Sequence, residues 1–260
     1  MTDAFDPRTA ARLALACLDL TTLNDADTEA DVARLCARAS GPHGHVAAVC
    51  VWPRLAAFAR RELPPEIRVA AVANFPDGSG DVARAVRDTA TIVESGAQEV
   101  DLVLPYRPLQ AGDEATVRSV LSAVRKASEG LLLKVIIETG EFSDLNLMAR
   151  ACFLSLEAGA DFLKTSTGKT KVSATPQAAK VLLDAIATEP GAAHRVGFKP
   201  SGGIRTVADA ATYLALTSDA LGQGALNPRR FRIGASSLLD DIERVLSGQT
   251  SAAAAPSGSY

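Results

Sequence analysis

The chain has 260 residues, 47% hydrophobic and 22% charged, with a formal net charge of −3, the composition expected of a soluble globular protein. No basic block stands out, which argues against a general nucleic-acid binder. No run of about 18 apolar residues offers a membrane span.

The N-terminus "MTDAFDPRTAARLAL" lacks the charged-then-apolar pattern of a signal peptide. Eight apolar runs of strand length follow in order: "LACLDL" (15–20), "HVAAVCVW" (45–52), "IRVAAVANF" (67–75), "EVDLVLP" (99–105), "LLLKVIIE" (131–138), "DFLKTST" (161–167), "RVGFKP" (195–200) and "RFRIGA" (230–235). Segments of helical period separate them. "ESGAQEV" and "EAGADFL" each end a helix at Gly-Ala and re-enter a strand. Thr175 with Pro176, and Thr206 opening "TVAD", are helix-start signals. Strands alternating with helices predict a parallel sheet, and eight such units predict an α/β fold of the (β/α)8 TIM-barrel type. An open doubly wound sheet usually carries Gly-x-Gly-x-x-Gly after its first strand, and that fingerprint is absent. Residues 1–248 are expected as a single barrel domain and 249–260 as a flexible C-terminal tail, since only the end of the chain is low in complexity. Cys17, Cys36, Cys50 and Cys152 are scattered, as free thiols of a cytoplasmic protein would be. With only His43, His45 and His194 to supply imidazole, no metal site is expected.

Side chains alternate faces along a strand. Sending the large apolar residues toward the helices leaves Asp19, Cys50, Asn74, Asp101, Lys134, Glu138, Lys164 and Lys199 facing inward. Arg232 also falls inward, with no role that the sequence supplies. Several of these lie near strand C-terminal ends, where barrel active sites are built. An ion-pair network that only holds the barrel together is the alternative for any one of them. Buried charges are costly, and Lys164, Lys199 and Asp101 together point to function.

A lysine is a nucleophile only when neutral, and burial or a second cation nearby lowers its pKa. Lys164 and Lys199, on successive strands, are placed for this. A neutral lysine attacks a carbonyl to form an iminium, an electron sink that lets an adjacent C–C bond break. Asp101 and charged Lys199 would pass the protons. The expected chemistry is Schiff-base aldol cleavage or condensation, with no cofactor. Cys50, facing inward, is expected to be a liability toward reactive aldehydes rather than a catalyst.

"KPSGGIRT" places Gly202 and Gly203 after the seventh strand, and "IGASSL" places Gly234, Ser236 and Ser237 after the eighth, at a helix start. That is the common barrel phosphate site. Gly168 and Lys169 reach it from the sixth strand, with Lys169 keeping its charge beyond the strand end. Tight turns are the plainer reading of such glycines. "TSTGKT" also resembles the end of a P-loop, but Leu163 stands where that motif needs glycine.

Taken in order, "LDLTTLN", "NFPDG", "EVDLVLPY", "LLKVIIETGE", "AGADFLKTSTGK", "VGFKPSGGIRT" and "FRIGASSL" resemble the bacterial class I 2-deoxyribose-5-phosphate aldolase family over almost the whole chain. The resemblance implies reversible cleavage of 2-deoxy-D-ribose 5-phosphate to D-glyceraldehyde 3-phosphate and acetaldehyde, in deoxyribose and deoxynucleoside catabolism. It also implies a cytoplasmic enzyme, often a homodimer. It gives Lys164 the Schiff base, Asp101 and Lys199 the proton transfers, and Gly168, Lys169, Gly202, Gly203, Gly234, Ser236 and Ser237 the phosphate. Asp19 and Lys134 match positions lining the family's pocket. Members often end in a tyrosine like Tyr260, which would assist the proton step at the enamine carbon. The rivals are another Schiff-base barrel aldolase, a pyridoxal-phosphate enzyme using the same lysine, and a sugar-phosphate binding protein without turnover.

Overall fold

Eight parallel strands curl into a barrel in a computed structural model that describes residues 5–251. They are β1 (Leu18–Thr21), β2 (Ala48–Val51), β3 (Arg68–Ala73), β4 (Glu99–Val103), β5 (Leu132–Ile136), β6 (Phe162–Lys164), β7 (Gly197–Lys199) and β8 (Ile233–Ala235). β1 to β7 pair in chain order, and β8 pairs with β1. The seam between β7 and β8 is closed by backbone bonds: Phe198 N–H to Arg230 O at 2.9 Å, Arg232 N–H to Phe198 O at 3.1 Å and Gly234 N–H to Pro200 O at 2.9 Å. A (β/α)8 barrel is thus confirmed.

The helical layer comprises α1 (Pro7–Ala16), α2 (Glu29–Arg38), α3 (Pro53–Glu62), α4 (Val82–Glu94), α5 (Tyr106–Gln110), α6 (Glu114–Ala127), α7 (Leu145–Glu157), α8 (Pro176–Thr188), α9 (Val207–Leu221) and α10 (Leu238–Leu246). Their starts follow the local chemistry. Thr175 Oγ1 accepts from Ala178 N–H at 3.1 Å with Pro176 in the first turn, and Thr206 with Asp209 forms a full capping box. Gly96 and Gly159 turn the chain out of α4 and α7 with φ of 77° and 85°. Val100, Leu102, Leu133, Val135, Leu163, Phe198 and Ile233 are fully buried, consistent with outward strand faces packed under the helices. None of the helices described is long and apolar enough to cross a membrane.

Several boundaries differ from the sequence expectation. Leu15 and Ala16 end α1 and Cys17 caps it, so "LACLDL" is half helix. His45 lies outside β2, in a short hairpin of Ser40–Gly41 with Gly44–His45. Asn74 does not join the barrel interior. It is left-handed, with φ of 54°, and its amide donates to Ser79 O at 2.8 Å and Val103 O at 3.1 Å. Asparagine tolerates that backbone, and here it turns the chain out of β3.

Candidate active site

Register decides which side chains meet. Asp101 pairs with Lys134 across β4 and β5, Lys164 with Lys199 across β6 and β7, and Asp19 with Gly234 across β1 and β8. Register partners in a parallel sheet share a face, so all these positions look into the barrel. A Cβ on Gly234 would stand 3.1 Å from Lys199 Cε and 2.5 Å from Ser201 Oγ. The absence of a side chain there is what lets Lys199 cross the interior.

Six charged groups then close into a ring of alternating sign. Arg232 Nη1 donates to Asp19 Oδ1 at 2.6 Å, and Lys199 Nζ donates to Asp19 Oδ2 at 2.5 Å. Lys199 Nζ also donates to Asp101 Oδ2 at 2.8 Å, and Lys134 Nζ to Asp101 Oδ1 at 2.7 Å. Lys134 reaches Glu99 Oε2 at 2.6 Å, and Arg232 Nη2 returns to Glu99 Oε1 at 2.7 Å. Lys164 stands outside this ring. Its Nζ has one carboxylate partner, Asp101 Oδ2 at 2.8 Å, the oxygen that Lys199 also uses. All seven groups are buried.

The ring alone is neutral: Asp19, Glu99 and Asp101 against Lys134, Lys199 and Arg232. Removing charges from water is expensive unless each is paired. Lys134 and Lys199 each touch more than one carboxylate and Lys164 touches one, so the proton missing from a neutral cluster belongs to Lys164. The titration directions agree. Burial lowers the Lys164 pKa and Lys199 lowers it further, against the pull of Asp101. Burial also opposes charge on Lys199, but Asp101 and Asp19 outweigh it and raise that pKa. Asp101 is held well below the usual carboxylate range because Lys134, Lys164 and Lys199 together overcome its desolvation.

Asp19, Asp101, Lys134, Lys164 and Lys199 are therefore assembled as the strand alternation predicts. Sequence reasoning missed Glu99, although it is two residues before Asp101 on the same face of β4, and assigned nothing to Arg232. Arg232 is placed at the barrel floor, where its Nε donates to Pro228 O at 2.5 Å and its guanidinium lies 5.8 Å from the Phe162 ring centroid. Glu138 projects at the other end, left-handed with φ of 60°, and binds the loop after β6 instead of the ring. Thr167 Oγ1 donates to its Oε2 at 2.5 Å and Thr170 Oγ1 to its Oε1 at 3.2 Å. Cys50 Sγ lies 4.0 Å from Asp101 Oδ2, and burial together with Asp101 raises the thiol pKa. The reactive thiolate is thus scarce at neutral pH, which weakens the expectation that Cys50 is a liability.

A cleft of about 300 Å³ opens at the C-terminal mouth of the barrel. Gly168, Lys169, Gly202, Gly203, Gly234, Ser236 and Ser237 all line it. Thr21, Thr22, Asn24, Thr167, Ser201 and Arg205 line it too and were not anticipated. Gly202 is left-handed with φ of 83°, and a Cβ there would meet Ser173 Oγ at 2.5 Å. Ser237 caps α10 without a side-chain bond, so first-turn N–H groups are free of that competitor for an anion. Ser201 and Gly234 connect cleft and ring, because Gly234 is in register with Asp19. A larger cavity, about 570 Å³, lies at the opposite end beside Arg68, Leu132, Arg229 and Arg232. It has none of the lysines, and barrel chemistry sits at the C-terminal face. Tyr260 lies outside the described residues. Among them no group of His, Cys, Asp and Glu is placed to hold a metal ion.

This fold and site define an aldolase: the chain belongs to the DeoC/LacD aldolase family, whose sequence profile matches residues 13–244. It is 48% identical over 252 residues to the deoxyribose-phosphate aldolase of Agrobacterium fabrum (strain C58 / ATCC 33970), covering 96% of each chain. Among solved structures, the tetrameric deoxyribose phosphate aldolase of Aeropyrum pernix superposes with a TM-score of 0.71 at 28% identity, covering 93% of each chain. A Toxoplasma gondii ME49 protein, provisionally named a deoxyribose-phosphate aldolase, superposes with a TM-score of 0.85 at 27% identity, covering 94% of this chain and 99% of that one.

Proposed function

We infer that the protein is a metal-independent class I aldolase that reversibly cleaves 2-deoxy-D-ribose 5-phosphate to D-glyceraldehyde 3-phosphate and acetaldehyde, with Lys164 as the Schiff-base nucleophile. The observation that carries the assignment is the sharing of Asp101 Oδ2 by Lys164 and Lys199, each at 2.8 Å, in the buried interior of the barrel. Neutral Lys164 adds to C1 of the open-chain aldehyde, and Lys199 protonates the carbonyl oxygen. Loss of water gives the iminium. Removal of the C3 hydroxyl proton breaks the C2–C3 bond, and its electrons flow into the iminium to give an enamine. Protonation at C2 and hydrolysis then release acetaldehyde and restore Lys164. Asp101 and Lys199 carry these protons, directly or through a water. Asp19 and Lys134 hold that pair in place. Gly168, Lys169, Gly202, Gly203, Gly234, Ser236 and Ser237 bind the phosphate, as the loops and helix N-terminus of the mouth cleft favour.

Assay with 2-deoxyribose 5-phosphate should release acetaldehyde and glyceraldehyde 3-phosphate in equal amounts. Turnover of a ketose phosphate with no acetaldehyde would move the chain to another Schiff-base aldolase. We further propose that residues 1–248 form the barrel unit and 249–260 a tail, that the protein works in the cytoplasm, and that it assembles as a homodimer. Four scattered free cysteines support the cytoplasm, and the family resemblance supports the dimer.

We also propose that Tyr260 assists the proton step at the enamine carbon, a reading supported by the tyrosine at which members of the resembled family often end. Deleting Tyr260 should lower kcat by roughly ten- to a hundredfold, the low end of general acid–base effects, with KM and thermal stability unchanged. Exchange of acetaldehyde methyl protons with deuterium oxide should slow in parallel. Exchange and turnover both equal to the full-length enzyme would remove Tyr260 from the mechanism.

A further inference from the structure

We propose that Glu99 and Arg232 are positioning residues that close the charge ring at the barrel floor and thereby set the protonation state of Lys164, which neither of them touches. The proposal rests on the reading of Lys164 as the nucleophile.

The geometry supports a paired role. Arg232 spans Asp19 and both oxygens of Glu99, with Nη1 to Glu99 Oε2 at 3.1 Å closing a two-pronged contact. Glu99 in turn holds Lys134. Each of Asp19 and Asp101 therefore offers one oxygen to the floor and the other to Lys199. Without Arg232, Asp19 would face Lys199 with one oxygen unmatched. Without Glu99, Lys134 would rest on Asp101, with Asp19 at 3.7 Å as its remaining carboxylate. Two further charges face Glu99 among the described residues: Arg68, half-exposed and 3.7 Å away, and Asp19, whose carboxylate opposes charge on it. Around Lys164 stand Asp101 on β4, Lys199 on β7, Cys50 on β2 and Glu138 beyond β5. Cys17, beside Arg232, is a thiol whose pKa burial pushes up to about 12, so it adds no charge at neutral pH.

A buried cluster resists net charge. Removing Glu99's charge leaves the ring with one excess cation, which disfavours a further ammonium at Lys164. Removing Arg232's charge leaves one excess carboxylate, which favours it. The two changes therefore act on Lys164 with opposite sign and cancel when combined. A role confined to packing has no reason to do either.

The test is the acidic limb of kcat/KM against pH, which reports deprotonation of the attacking amine in the free enzyme. Glu99→Gln should move this limb about one unit toward acid and Arg232→Met about one unit toward alkali, as expected for one charge acting through a partly shielded interior. The double variant should return to within about 0.3 unit of the wild type, and KM should change little because the phosphate loops are untouched. If Arg232→Met does not fold, the sign of the Glu99→Gln shift decides alone. An acid shift supports the proposal, and an unmoved or alkaline limb overturns it. Borohydride trapping is run on every folded variant. Wild-type enzyme that traps no aldehyde on Lys164 defeats the nucleophile assignment. Trapping on Lys164 with a limb that Glu99→Gln leaves in place defeats only the ring-closing role.

Discussion

Borohydride reduction in the presence of acetaldehyde is expected to leave a two-carbon group on Lys164 and on no other lysine, and Lys164→Met is expected to lose activity by about four orders of magnitude or more, as removal of a covalent nucleophile does. Lys199 is the competitor, since it shares an oxygen with Lys164. Charge separates them. Lys199 is bound by two carboxylates that keep it protonated, and a protonated amine has no lone pair to attack with. Peptide mass mapping reads the label directly, and a label on Lys199 would reverse the assignment. Stability offers a second reading of the same variant. Lys164 is the lysine whose charge the ring does not need, so Lys164→Met leaves a neutral, fully paired cluster. Its melting temperature should equal or exceed that of the wild type, whereas breaking a buried pair within the ring should cost about 3–5 kcal/mol. A large loss of stability in Lys164→Met would mean that Lys164 is a structural ammonium.

The sequence was most informative where one local rule suffices. Strand alternation is fixed by the backbone, so apolar neighbours such as Leu163 and Phe198 were enough to turn Lys164 and Lys199 inward. The same rule covers Glu99, two positions from Asp101, but its partner Arg232 is remote in the chain and meets it only across the closed barrel. Without that partner nothing in "EVDLVLP" separates a functional carboxylate from one at a strand start. Asn74 and Glu138 escaped for another reason. Alternation holds while the backbone is extended, and both residues leave it for the left-handed region. Hydrophobicity overextends "LACLDL" as a strand because a buried helix end and a buried strand start are both apolar, and the break at Cys17 leaves no mark in it. The mouth loops were legible through their glycines and serines. Thr21, Thr22 and Asn24 were not, since their approach to Gly234 depends on the pairing of β1 with β8.

Lys199→Leu is expected to lower kcat/KM at neutral pH by about a thousandfold or more, through two effects that pH can separate. The first is electrostatic. Asp19, Glu99 and Asp101 would face only Lys134 and Arg232 in the ring, and the missing positive charge would be supplied by Lys164. Its folded-state pKa then rises, because protonation now completes the pairing where in the wild type it exceeds it. The acidic limb of kcat/KM should move toward alkali, and part of the loss should be recovered as pH is raised. The second effect is the loss of a proton donor held within reach of Asp101. That part, on the order of 10²–10⁴ for general acid–base catalysis, does not return at any pH. Protonated Lys164 keeps the buried carboxylates matched, so the variant should remain folded by circular dichroism. A limb left where it was, with activity reduced by the same factor throughout, would show that Lys199 transfers protons without tuning Lys164. A limb moved toward acid would contradict the neutral-ring account, because it would require the interior to tolerate an unpaired carboxylate more readily than a protonated Lys164.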